Sequence, residues 1–137
     1  MSPAERADRL YDRVMRLHSQ GKDDSVQTFA PMALASYQMM DSLTLDQRYD
    51  FGRIGEVVGA PDVAKAQADT ILTLDPTHLL GLALAARAAT INKDAPAAHR
   101  FYQRLLAAAP AERKKNLPEY QRHRADIDAA LAEAHGA

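Results

Sequence analysis

The sequence contains no cysteine, which removes thiol catalysis, disulfides and thiolate metal sites. The compartment stays open on that count, because cytosolic and exported proteins alike can lack the residue. Neither sign of charge is in excess: 17 Lys and Arg stand against 18 Asp and Glu, a formal net charge of −1. No global field gathers nucleic acid or an anionic membrane, so neither is an expected partner. Apolar runs of membrane-spanning length are missing, and membrane insertion is not expected. β-Branched runs are scarce, which leaves no convincing strand. The opening MSPAERADRL is charged and is not a signal peptide. The expected compartment is the cytoplasm, or the periplasm or exterior if a leader has been removed.

Catalytic signatures are also wanting. There is no phosphate loop, dinucleotide fingerprint or pair of catalytic carboxylates. Ser19 beside His18 lacks the strand-turn-helix setting of a serine nucleophile. The histidines His18, His78, His99, His123 and His135 show no metal-ligand spacing on one helical face. Most read as exposed helix residues, with His78 set apart because it falls in the first turn of an expected helix. No enzymatic activity, no cofactor and no metal are expected.

What the chain does have is alanine and regular apolar spacing. Hydrophobic residues make up 47% and charged residues 26% of 137 positions, the balance of one globular domain with a real core. At a shift of 34 residues, Ala30, Ala64 and Ala98 coincide, as do Leu34, Ala68 and Tyr102, and Tyr37, Ile71 and Leu105. Offsets of zero, four and seven lie on one helical face. Asp41-Ser42, Asp75-Pro76 and Ala109-Pro110 close the three units. Such a period marks helix pairs that cannot bury their apolar faces alone and stack on their neighbours.

On these residues the chain resembles a tetratricopeptide-repeat protein. Gly52, Ala64 and Pro76 match the family's small and closing positions in the second unit, and Ala86, Ala98, Tyr102 and Pro110 match them in the third. The family's tryptophan is absent, and Ala68 stands where an aromatic is usual. The resemblance implies an all-α fold, a short right-handed α-solenoid of about three helix hairpins with a C-terminal capping helix. The units span about 3–42, 43–76 and 77–110, and the cap about 117–135, within one domain of residues 1–137.

Local signals add about seven helices. Ser2 with Glu5 and Thr44 with Gln47 form capping boxes, and Asp75 and Asp94 are expected N-caps. Asp23 and Asp24 read as cap residues too. Pro31 implies a kink or a late helix start. Gly52 and Gly55 in GRIG read as close helix packing, since a KH-type RNA loop needs strands. Met15, Met32, Met39 and Met40 are expected to fill core gaps. The mixed charges of the tail, five of each sign from Glu112 to Glu133, are expected to form a solvated surface.

The family's concave groove holds a peptide or a partner's helix, and position by position the lining becomes Asp46, Tyr49, Arg53 and Glu56 in the second unit and Leu80, Ala83, Arg87 and Thr90 in the third. Of these, Asp46, Tyr49, Arg53, Leu80 and Arg87 are the expected binding residues. Arg53 and Arg87, one period apart, are expected to point the same way and to hold an acidic segment or a terminal carboxylate. The implied function is a scaffold or adaptor that binds another protein or peptide segment. The alternative is a structural component that self-assembles or decorates a larger complex through its end helices.

Overall fold

A computed structural model describes all 137 residues. They form eight α-helices and no strand: α1 (Pro3–Ser19), α2 (Asp23–Gln38), α3 (Leu45–Val57), α4 (Pro61–Leu74), α5 (Leu79–Ile91), α6 (Ala95–Lys114), α7 (Pro118–Arg122) and α8 (Arg124–Gly136). α1 packs on α2, α3 on α4 and α5 on α6, while α4 leans on α5 and the first helices of successive pairs touch in order. The result is a short right-handed α-solenoid of three hairpins, closed by the C-terminal helices.

The starts and stops are written locally. Ser2 Oγ accepts from the Glu5 N–H at 3.1 Å and Thr44 Oγ1 from the Gln47 N–H at 3.1 Å, and both reciprocal bonds are made. Asp94 Oδ1 accepts from the Ala97 N–H at 3.2 Å. All three hairpin turns close with the same six-residue backbone bond, Lys22 to Leu17, Ala60 to Gly55 and Asp94 to Ala89, at 3.0, 2.8 and 2.9 Å. The residue before each donor has positive φ: Gly21 at 71°, Gly59 at 78° and Lys93 at 58°. Lys93 stands one period after Gly59, so the turn repeats even where glycine does not.

Several expectations give way. α2 begins at Asp23 and runs through Pro31, so the late start does not occur. Asp23 and Asp24 sit inside its first turn, where the helix dipole favours them, and neither caps it. α6 continues through Pro110 to Lys114, and the added turn buries Glu112. α5 starts at Leu79 rather than after Asp75, because its first free N–H, that of Leu79, is satisfied by the Tyr120 hydroxyl at 2.9 Å. Met32 and Met39 are exposed, and of the four methionines only Met15 and Met40 pack on the core.

The core has two parts. A smaller cluster joins α1, α2 and α3, with Tyr37 stacked on Phe51 at 5.5 Å. A larger one centres on α5, buried continuously from Leu79 to Ala86 and gripped by α4, α6 and α8. A helix apolar on all sides belongs in the middle of the packing.

Candidate functional site

α1, α3 and α5 lead the three hairpins, and the chain's own C-terminus is seated against all three. α8 packs on α6 and α5, and the side chains of α7 and α8 reach α3 and α1. Tyr120 donates to Glu112 at 2.6 Å while accepting from Leu79. His78 Nε2 lies 3.0 Å from Glu119. Tyr49 donates to Asp126 at 2.6 Å, and Tyr102 to Glu133 at 2.8 Å.

The densest contacts form where α7 breaks into α8. His123, at the break, has Nε2 2.9 Å from Asp46 Oδ1 and 2.9 Å from Asp50 Oδ1. One terminal nitrogen of Arg122 lies 3.0 Å from each Asp46 oxygen and 2.6 Å from Asp50 Oδ2. The guanidinium carbon is 5.3 Å from the Tyr11 ring centre. The His123 ring meets Tyr11 edge-on at 6.1 Å and Tyr49 at 4.8 Å. Asp50 is wholly buried.

Burial works against the charge of His123, but Asp46 and Asp50 outweigh it and push the imidazolium pKa up to about 9. Asp46 is desolvated too, yet His123 and Arg122 hold its carboxyl below the usual range. Burial dominates at Asp50 and holds it above that range. The groups in contact with His123 are Tyr11, Asp46, Tyr49, Asp50 and Arg122. Because the folded value exceeds the unfolded one, stability from this histidine is complete below about pH 6.5. It is lost as pH rises through about 9. At full strength it is worth about 3 kcal/mol. The melting temperature is therefore expected to fall by roughly 10 °C across that window, and a His123→Asn variant to melt without that slope. A flat wild-type profile would mean that the imidazole is neutral.

The ligand atoms of Asp46, Asp50 and His123 lie within 4.8 Å of one another, the grouping of a small metal site. Arg122 holds the same oxygens at 2.6 to 3.0 Å, where a cation would sit. The cluster is built as an ion pair.

Of the residues expected to line the groove, Asp46 is partly open and joins this cluster. Tyr49 and Leu80 are wholly buried, so they present no free apolar surface. Arg87 donates to Glu56 at 2.8 and 3.1 Å and to the Tyr49 hydroxyl at 2.9 Å. Arg53 lies 3.8 Å from both Glu56 and Asp126. The two arginines do converge, but on Glu56. Asp50, Arg122, His123, Asp126 and Tyr11 were not among the expected residues. The one available signal was Asp46 and Asp50 a turn apart on α3. In the tail, Arg113 pairs with Asp128 and Lys115 with Glu112, whereas Arg122, itself still exposed, reaches across to Asp46 and Asp50 on α3.

No protein-family model and no curated protein sequence matches the chain. Among solved structures it is similar to PcrH in complex with the chaperone-binding region of PopB, at 17% identity and a TM-score of 0.59, over 96% of this chain and 94% of that one. It is likewise similar to PcrH from Pseudomonas aeruginosa, at 18% identity and a TM-score of 0.58, over 96% and 92%. At such identity the likeness establishes the fold, a tetratricopeptide-like helical repeat.

Proposed function

We propose that the chain is an adaptor that binds a segment of another protein on the side of the row led by α1, α3 and α5, and does no chemistry of its own. The observation that carries this reading is a fold shared along 96% of the chain with a protein seen holding a partner's binding region. The inner face of this chain supports it, since a helical segment already lies there with aromatic and charged side chains turned toward it. The reading takes residues 1–137 as one domain, with units of about 3–42, 43–76 and 77–110 and a cap of about 117–135. Asp46 and Arg53, both partly open, make contact, and Tyr49, Leu80 and Arg87 support the face from beneath. No helix is long and apolar enough to cross a membrane.

The test is capture from the native cell by the tagged full chain. Replacing Asp46 and Arg53 together with alanine is expected to lower the co-purified protein about ten-fold or more, and Lys65→Ala, at an exposed site on α4, to leave it unchanged. Undiminished capture by the double variant would remove the inner face from consideration. A second reading, assembly through the end helices, draws on exposed Met1, Met32 and Met39 in the first hairpin. It requires particle size to grow with concentration.

A further inference from the structure

We propose that Asp46 and Asp50, walled by the rings of Tyr11 and Tyr49, form a recognition slot for an arginine of the partner segment, and that Arg122 occupies it in cis until the partner displaces α7. This rests on the adaptor reading and reverses the charge that the groove arginines suggest: the ligand is basic at this end.

Three observations support a displaceable occupant. First, the slot is short of donors. A single nitrogen of Arg122 serves three carboxylate oxygens, while its other terminal nitrogen makes no hydrogen bond to a carboxylate and lies 3.9 Å from Asp12. The His123 Nε2 is shared between both aspartates, and Asp50 Oδ1, on a wholly buried side chain, has no well-formed hydrogen bond. An arginine arriving on a separate segment can present the guanidinium fork to both carboxylates. Second, the occupant opposes itself, because the Arg122 nitrogen lies 3.1 Å from His123 Nε2 and His123 is charged at neutral pH. Third, the tether is light. α7 has five residues, and from Leu117 onward the segment buries two large apolar side chains, Tyr120 and Ile127, together with His123 and the small Ala130 and Ala134. Polar contacts of this kind exchange for better ones at little net cost, whereas a large apolar interface would not.

The probe is a labelled synthetic peptide of residues 117–137, added in trans to the full chain. Wild-type protein is expected to bind it weakly, since the cis copy competes at an effective concentration on the order of millimolar. A full-length Arg122→Ala/His123→Ala variant, with its slot vacated, is expected to bind about ten-fold tighter or better, less so as salt is raised. The same peptide with its own Arg122 replaced by glutamate is expected to lose that binding. No gain by the variant, or equal binding of the glutamate peptide, overturns the slot. Native-state hydrogen exchange on the wild-type chain decides independently of how the variant folds. Amides from Tyr120 to Ile127 are expected to open at least about ten-fold more often than those of α5, and exchange only through global unfolding overturns displacement. Should the peptide arm fail while Asp46 and Arg53 still govern capture of the cellular partner, the adaptor reading stands and only the arginine slot falls. Should the slot bind the peptide while no inner-face variant alters capture, the adaptor reading falls instead.

Discussion

Arg87→Glu is expected to unfold the domain rather than only to blunt a binding face. The Arg87 side chain is 15% exposed and its partner Glu56 5%. The guanidinium makes two bonds to that carboxylate and a third to Tyr49, whose own hydroxyl proton goes to Asp126. Removing one member of such a pair costs about 3–5 kcal/mol, because the other is left buried and uncompensated. A new carboxylate beside Glu56 adds like-charge repulsion and takes the donor from Tyr49. A loss of about 5 kcal/mol consumes a large part of the 5–15 kcal/mol that ordinarily holds a domain together. Urea unfolding is expected to show the loss as a lowered midpoint. Arg87→Met combined with Glu56→Gln removes both charges and is expected to recover more than half of it. If Arg87→Glu shifted stability by less than about 1 kcal/mol, the pair would not be formed in solution.

This pairing explains why Arg87, read from the repeat as a groove residue, presents no free charge there. Arg53 and Arg87 stand one period apart, and the periodicity correctly aims them at one place. That place contains Glu56, placed three residues after Arg53 on α3, so Arg87 is paired inside the fold while Arg53 stays partly open. The aspartates of α3 are left to meet whatever lies across them.

The hairpins were legible because their determinants are local. Capping boxes at Ser2 and Thr44 and alanines at matching positions all act within a few residues. The repeat told which faces are buried, since Ala64, Ala68, Ile71, Ala98, Tyr102 and Leu105 are all in the core. The path of the C-terminus was not legible. Its contacts join residues 76 and 77 apart, Arg122 to Asp46 and Asp126 to Tyr49, and a helical period carries no information about polar pairs at that separation. Asp75 misled for a related reason: the α5 N-terminus is satisfied by Tyr120, 41 residues along the chain from Leu79, so no local cap was needed there. Interspersed charge in the tail resembled a solvated surface because nothing local marks Glu119, Asp126 and Glu133 as partners of the distant His78, Tyr49 and Tyr102.

Gly55→Leu is expected to be the most damaging substitution that touches no charge. A Cβ at Gly55 would stand 2.8 Å from Val63 Cβ, 2.9 Å from Val63 Cγ1 and 3.1 Å from the Ala60 carbonyl oxygen. None of these can step aside: Val63 is β-branched and its Cβ moves only with the backbone, and Ala60 is held in the turn by its 2.8 Å bond to the Gly55 carbonyl. Gly52 makes the informative contrast, because its nearest neighbours are the δ-carbons of Leu84, the far end of a side chain that can change rotamer. Leucine at Gly55 adds three further carbons to a space that has no room for the first, so α3 and α4 must part at their joining turn. Overpacking of this kind costs about 3 kcal/mol, against a helix-propensity gain of under about 1 kcal/mol from losing glycine. The melting temperature is expected to fall by about 10 °C, with Gly52→Ala falling by less than half as much. Because the middle hairpin supports both neighbours, hydrogen exchange is expected to quicken in α1–α2 and α5–α6 as well as in α3–α4. A melting curve unchanged by Gly55→Leu would mean that α3 and α4 do not approach at this glycine, and the close packing of the middle hairpin would have to be given up.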